Sequence, residues 1–101
     1  MIETIPNKLF ANKKQLTNIS EAFYHCTRFV IVPGDIFSGC VAIRDANSSF
    51  SECYAMTTIE DGLFDDCTNL RDIGSIFRDC FGLKNISEDI FSNCTNIQMT
   101  E

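Results

Sequence analysis

The sequence has few basic residues and no long apolar segment, and these absences exclude several classes of protein. Eight lysines and arginines stand against fourteen aspartates and glutamates, which gives a net charge of −6. Nucleic acids and anionic membranes are held by clustered basic residues, whereas here only Lys13 and Lys14 are adjacent. The sequence therefore predicts no nucleic-acid partner. No apolar run approaches the roughly 20 residues of a membrane span, so we also expect no membrane insertion.

Signals for secretion and catalysis are lacking as well. The segment MIETIPNKLF at the start of the chain has neither the charged start nor the apolar stretch of a secretory signal peptide. The only histidine, His25, has no acidic residue in a fixed relation to it, and it cannot share a helix face with Cys26, so we interpret it as an exposed surface residue. Acidic pairs such as Asp65 and Asp66 fit neither a calcium loop nor a glycosidase pair. We expect no enzyme, no catalytic residue and no cofactor.

The chain does contain a strong internal repeat. Its 101 residues, 45% of them hydrophobic, allow one domain over residues 1–101. Phenylalanines recur at positions 10, 23, 37, 50, 64, 77 and 91, so that a shorter and a longer gap alternate. The position three after each phenylalanine holds Lys13 and then all six cysteines: Cys26, Cys40, Cys53, Cys67, Cys80 and Cys94. The positions six and nine after each phenylalanine are apolar with one exception, Thr100. The true period therefore runs from one phenylalanine to the next but one, as from Phe10 to Phe37, and has two unlike halves.

Each half predicts a short helix followed by a short strand. Ile36, Phe37 and Cys40 fall on one face of a helix, and Pro33 suits its first turn. The stretch Leu70–Ile73 is typical of a strand, which would pair in parallel with its copy one period away. The expected fold class is an α/β solenoid. It would be a coil of about 3.5 repeats of 27 residues, each with two short helices and two parallel-stacking strands.

The pattern I-P-x-x-L-F-x-x-C-x-x-L-x-x-I resembles the cysteine-containing, BspA-like branch of leucine-rich-repeat proteins, and also mycoplasma-type surface repeats. The motifs VPGDIFSGC and IEDGLFDDCTNL carry this resemblance most clearly. Departures are Lys13 in place of cysteine, Glu60 and Ser87 in place of proline, and Ala46 in place of isoleucine. The resemblance implies a right-handed, leucine-rich-repeat-like α/β solenoid displayed on bacterial, protist or phage surfaces, where relatives bind host proteins or matrix. It implies no catalytic residues.

Three interpretations of the cysteine positions are open. The favoured one is a ladder of free thiols in the core, because free cysteine is among the most buried residue types. Disulfides between copies one period apart are the second, since stacked strands lie close enough for them. Zinc is the third and the weakest, because the sequence has no C-x-x-C pair. We expect no metal site.

The best candidate for a binding surface is the outward face of one set of strands. There Arg44 with Asp45, and Arg71 with Asp72, should stack one above the other. This strip is either a cross-strand charge ladder or a polar docking surface for a protein or glycan. The other strand face, with Thr57-Thr58 and Lys84-Asn85, is an equal alternative.

These observations predict a non-enzymatic interaction module that recognises or adheres to a host protein or glycan. The alternative is a structural component of a phage particle or cell-surface stalk, which would self-associate by stacking through its open C-terminal coil end. The resemblance places the protein at a cell surface or outside the cell, and the lack of a signal peptide leaves a phage particle or the cytoplasm as alternatives.

Overall fold

The structure, a computed structural model, describes residues 4–101. Within that range the only strands are β1 (Ile31–Val32) and β2 (Thr58–Ile59), and they pair in parallel, Ile31 opposite Thr58. Isolated parallel bridges extend this pairing: Asn18 with Asp45, Asp45 with Asp72, Asp72 with Met99, and Thr58 with Asn85. The bridged partners are 27 residues apart, as Thr58 and Asn85 are, and this separation is the period of the sequence repeat. We call each segment of one period a layer.

The expected fold class is wrong, because residues 4–101 form no helix and only one two-stranded sheet. The segment around Ile36, Phe37 and Cys40, where a helix was expected, is a run of turns, and Leu70–Ile73 contributes a single bridging residue instead of a strand. The molecule is a compact body of 29 × 27 × 22 Å. It is therefore neither an α/β solenoid nor a leucine-rich-repeat solenoid.

The backbone amides explain why the turns do not become helices. Between residues 21 and 26 they alternate between two sets of acceptors. The amides of Glu21, Phe23 and His25 donate to carbonyls of the next layer, those of Asn47, Ser49 and Ser51, at 2.8–3.0 Å. The amides of Ala22, Tyr24 and Cys26 donate three residues back along the chain, at 3.0–3.2 Å. An α-helix needs every amide to donate four residues back, so this alternation excludes it.

The alternation also requires left-handed backbone at residues other than glycine. Glu21 has a φ of 58° and His25 a φ of 56°. A side chain in this region of φ costs roughly 1–2 kcal/mol. In urea denaturation we therefore expect the free energy of unfolding of Glu21→Gly to exceed that of Glu21→Ala by about 1 kcal/mol. Ala22, next to it and outside the left-handed region, should respond in the opposite sense, with Ala22→Gly losing about 0.5–1 kcal/mol. Equal stability of the two Glu21 variants would contradict this account.

Two stacks of phenylalanine rings form the centre of the core. In one stack Phe37 lies between Phe10 and Phe64, with ring centroids 5.9 and 5.8 Å apart, and Phe91 continues it at 5.4 Å from Phe64. In the other stack Phe50 lies between two rings, 5.2 Å from Phe23 and 5.9 Å from Phe77. The rings within each stack are close to parallel because the layers repeat in register. The phenylalanine positions of the repeat therefore lie in or against the hydrophobic core, together with aliphatic and cysteine side chains.

The cysteines line the core beside these rings, and all six thiols are free. Cys40, Cys53, Cys67 and Cys94 are buried, whereas Cys26 and Cys80 are partly exposed. Several thiols point to carbonyl oxygens of the preceding layer, such as Cys40 Sγ to Phe10 at 2.9 Å and Cys80 Sγ to Phe50 at 3.0 Å. Burial raises the pKa of the Cys67 thiol to about 12, so this thiol stays protonated. In this structure the cysteines fill space and tie neighbouring layers together.

Candidate functional site

The two arginines of the predicted strip line one cavity. The Arg71 amide donates to the Arg44 carbonyl at 2.9 Å, and the Arg44 amide donates to Thr17 at 2.8 Å, so the three residues occupy matching places in successive layers. Both arginines are exposed. The cavity has a volume of about 500 Å³, and its remaining lining comes from Ala42, Asn69 and Asn96.

Two asparagines of this cavity are held by the layer beneath them. The side-chain nitrogen of Asn69 donates to the Val41 carbonyl at 2.9 Å, and the side-chain nitrogen of Asn96 donates to the Thr68 carbonyl at 3.3 Å. The cavity is therefore lined by two arginines, by two asparagines with oriented carboxamides and by a threonine.

The two aspartates of the strip take a different role. Asp45 accepts a hydrogen bond from the Asn47 amide at 2.9 Å. Asp72 accepts one from the Gly74 amide at 2.8 Å and one from the Asn47 side chain at 3.3 Å. Both aspartates are half-buried and fix the turn that follows them. The strip is thus divided into arginines that line the cavity and aspartates that bind the backbone and a neighbouring layer.

The alternative strand face is built from short polar contacts. Thr57 and Thr58 have hydroxyls 3.3 Å apart, and the Asn85 side chain donates to the Thr58 hydroxyl at 3.2 Å. Lys84 is exposed beside them, as are the apolar side chains of Val30 and Ile31. This face presents mostly apolar and hydroxyl groups, whereas the arginine cavity presents charge.

A third surface, which the sequence interpretation missed, gathers aromatic rings around one carboxylate. Glu52 accepts hydrogen bonds from the hydroxyls of Tyr24, at 3.1 Å, and Tyr54, at 3.2 Å. The Nδ1 atom of His25 lies 3.1 Å from a Glu52 oxygen. The ring of Phe81 stacks on Tyr54 with 5.9 Å between centroids and an angle of 3°. We call these five residues the aromatic surface.

His25 is exposed, but the expectation that it lacks an acidic partner is wrong. Its partner Glu52 is 27 residues further along the chain, at the same position of the next layer. Tyr54 and Phe81 are likewise one period apart, each directly after a cysteine. The signal that could have revealed this surface is the period of the repeat applied to polar and exposed positions as well as to the apolar ones.

The hydrogen bonds of this surface change the acidity of Glu52. Burial raises the pKa of its carboxyl group, but the hydrogen bonds from Tyr24, Tyr54 and His25 outweigh burial, and the pKa lies below its ordinary value. The hydrogen bond to Glu52 is also the main reason that the pKa of Tyr24 is raised. Glu52 is therefore a carboxylate at neutral pH.

A lowered folded-state pKa makes a testable contribution to stability. The contribution of Glu52 is present above its unfolded pKa and is lost as the pH falls through the lower, folded value. We expect the stability difference between the wild-type chain and Glu52→Gln to shrink between about pH 6 and pH 3 in urea titrations. The variant Tyr24→Phe/Tyr54→Phe, which keeps the carboxylate and loses two donors, should show a weaker loss on acidification. A difference that stays constant with pH would contradict the assignment.

Within residues 4–101 no three His, Cys, Asp or Glu side chains are grouped so that they could hold a metal ion. In the same range no helix has the length and apolar character needed to cross a membrane. Acidic side chains form hydrogen bonds between layers: the Asp66 carboxylate accepts one from the Gly39 backbone amide at 2.9 Å.

Comparison with protein-family models, curated proteins and solved structures finds no match to this chain. The resemblance to BspA-like proteins therefore stays a prediction.

Proposed function

We propose that the chain is a non-enzymatic binding module that recognises an acidic glycan through the cavity between Arg44 and Arg71. The observation that carries the proposal is that two exposed arginines, one layer apart, line a single cavity of about 500 Å³. Guanidinium groups bind carboxylate and sulfate through paired, charge-assisted hydrogen bonds. Layers of parallel backbone lie about 4.8 Å apart, so one anionic group can contact both arginines.

The rest of the cavity favours a sugar over a simple anion. Asn69 and Asn96 offer carboxamides in fixed orientations, and Thr17 offers a hydroxyl. Such neutral donors and acceptors suit the hydroxyl groups of a sugar ring, and the cavity falls in the size range of small-ligand sites. The net charge of −6 opposes anion binding at long range, so recognition depends on short contacts with the arginines.

The test is a titration with sulfated and carboxylated oligosaccharides, with neutral oligosaccharides of the same length as reference. Arg44→Gln/Arg71→Gln should weaken binding of the acidic probes by tenfold or more, since each charged hydrogen bond contributes roughly 1.5–3 kcal/mol. Arg78→Gln/Lys84→Gln removes the same charge elsewhere on the surface and should leave affinity unchanged. Equal losses in the two variants, or no binding of any acidic probe, would overturn the proposal.

A second candidate function is structural, with copies of the chain stacking end to end. Residues 4–30 carry four basic side chains against one acidic, whereas residues 85–101 carry three acidic and no basic side chains. Partly exposed apolar residues accompany both charges, Phe10 and Leu16 at one end and Phe91 and Ile97 at the other. Opposite charge on two complementary ends favours head-to-tail contact, which builds an open array.

Charge reversal tests this candidate. Lys13→Glu/Lys14→Glu and Glu88→Lys/Asp89→Lys should each abolish concentration-dependent association in analytical ultracentrifugation. An equimolar mixture of the two variants should restore association, because the two acidic ends of one variant then meet the two basic ends of the other. A wild-type chain that stays monomeric at high concentration and low salt would remove this candidate and leave the glycan proposal untouched.

A further inference from the structure

We propose that the aromatic surface is a docking site for a basic peptide segment of a partner protein. The site consists of Tyr24, His25, Glu52, Tyr54 and Phe81, and it is separate from the arginine cavity. Its occupant is a lysine- or arginine-bearing chain whose cationic groups lie against the rings and the nearby carboxylates.

The exposure of the rings is not explained by folding. Phe81 is 79% exposed, and Tyr24 and Tyr54 are 45% and 42% exposed. Positions equivalent to Phe81, directly after a cysteine, hold threonine in other parts of the repeat, namely Thr27, Thr68 and Thr95. A small polar residue thus satisfies the fold at this position, and a large aromatic ring there exposes apolar area without adding to the core. Exposed clusters of large apolar side chains mark interaction surfaces.

Hydrogen bonds and ring contacts hold the surface in a defined shape before any partner arrives. The Glu52 carboxylate fixes both tyrosine hydroxyls and the His25 ring. The His25 ring meets Tyr54 edge-on, with 5.8 Å between centroids and an angle of 88°, while Phe81 stacks on Tyr54. Pre-ordered aromatic anchors lose little conformational entropy on binding, which is why they dominate binding energies.

The charge around the rings selects a cation. A groove of about 400 Å³ adjoins the surface, and its lining includes three carboxylates, Glu21, Glu52 and Asp79, with one basic side chain, Arg78. Asp79 follows Glu52 by one period, so the two carboxylates occupy matching positions in neighbouring layers. Ammonium and guanidinium groups are attracted both to ring faces and to carboxylates. An acidic peptide would meet the three carboxylates and be repelled.

The experiment titrates a short peptide of Arg-Ser-Gly repeats into the labelled chain and follows backbone amide shifts and affinity by NMR. Matched Asp-Ser-Gly repeats and a neutral oligosaccharide are the comparison probes. The arginine peptide should shift amides of Tyr24, Tyr54 and Phe81, and its affinity should fall with added salt. The aspartate peptide should not bind.

The variants separate docking from folding. Phe81→Thr, which installs the residue type found at equivalent positions, should weaken the arginine peptide about tenfold while the melting temperature changes little. Glu52→Gln/Asp79→Asn should weaken it further. Val41→Thr, which changes an exposed apolar residue at the equivalent position on the other half of the repeat, should leave affinity unchanged.

Three outcomes would overturn the proposal. One is a peptide that shifts amides only around other acidic residues, such as Asp61 and Asp65. Another is an equal loss of affinity in Phe81→Thr and Val41→Thr. The third is a neutral oligosaccharide that binds the aromatic surface while the arginine peptide does not, which would identify it as a sugar platform. Arg44→Gln/Arg71→Gln should still bind the peptide, so this test is independent of the glycan proposal.

Discussion

Replacement of Phe50 by alanine is expected to lower the free energy of unfolding by about 3–5 kcal/mol. The side chain is fully buried, and its ring stacks on Phe23 and Phe77 in the layers on either side. Alanine removes both ring contacts and leaves a cavity between layers that the backbone hydrogen bonds prevent from closing. Since small domains are stable by only about 5–15 kcal/mol, the loss is a large share of the total.

Urea denaturation followed by far-ultraviolet circular dichroism measures this effect. Phe81→Ala is the matched control, because it truncates the same side chain where it is 79% exposed, and we expect it to change stability by less than about 0.5 kcal/mol. If Phe50→Ala does not fold, Phe50→Leu keeps the measurement possible and should cost about 1–2 kcal/mol. Similar losses of unfolding free energy at positions 50 and 81 would show that the ring stacks do not stabilise the core.

Gly34→Ala should produce the second large loss of stability, about 3 kcal/mol. A Cβ atom at Gly34 would collide with the backbone carbonyl oxygen of Asp61 in the next layer and lie 3.3 Å from that of Glu60. Backbone oxygens cannot rotate away as a side chain can, so the two layers must separate. The cause is close approach between layers, since Gly34 does not have a positive φ.

Gly62→Ala provides the contrast, because the two glycines differ in what opposes an added side chain. At Gly62 an added Cβ has 3.7 Å to its nearest neighbour, but φ is +92°. Alanine there should cost about 1 kcal/mol through backbone strain alone. In thermal unfolding, the melting temperature of Gly34→Ala should lie well below that of Gly62→Ala. The reverse order would mean that the layers are loosely packed around Gly34.

The core was predictable from the sequence, whereas the backbone conformation was not. Burial of Phe37, Phe50 and Phe64 follows from the period alone, because residues one period apart meet whichever local structure connects them. The helix expectation failed because so short a segment places the same side chains inward in a helix and in a run of turns. The residues that decide between the two, Glu21 and His25, adopt left-handed φ without the glycine that would have signalled it.

The candidate sites were predictable to different degrees. Stacking of Arg44 over Arg71 follows from the period, and the structure brings both to one cavity. The half-buried positions of Asp45 and Asp72 were not foreseen, because turn hydrogen bonds depend on local geometry that a charge pattern does not contain. The aromatic surface escaped notice because its residues are of four different types, although His25 and Glu52, and Tyr54 and Phe81, are each one period apart.

The alternating amides have a consequence for how the length of this chain can vary. A single residue inserted between Glu21 and Cys26 would exchange the amides that donate to the next layer with those that donate three residues back, and so break the bonds of that segment to the next layer. The two halves of the repeat nevertheless differ by one residue, and the extra residue lies ahead of Phe37 and Phe64. There carboxylate side chains replace carbonyls as acceptors: Asp35 binds the Lys8 amide at 3.0 Å and Glu60 binds the Gly34 amide at 3.1 Å. We therefore expect inserted or deleted residues to be tolerated best in these carboxylate-bridged stretches.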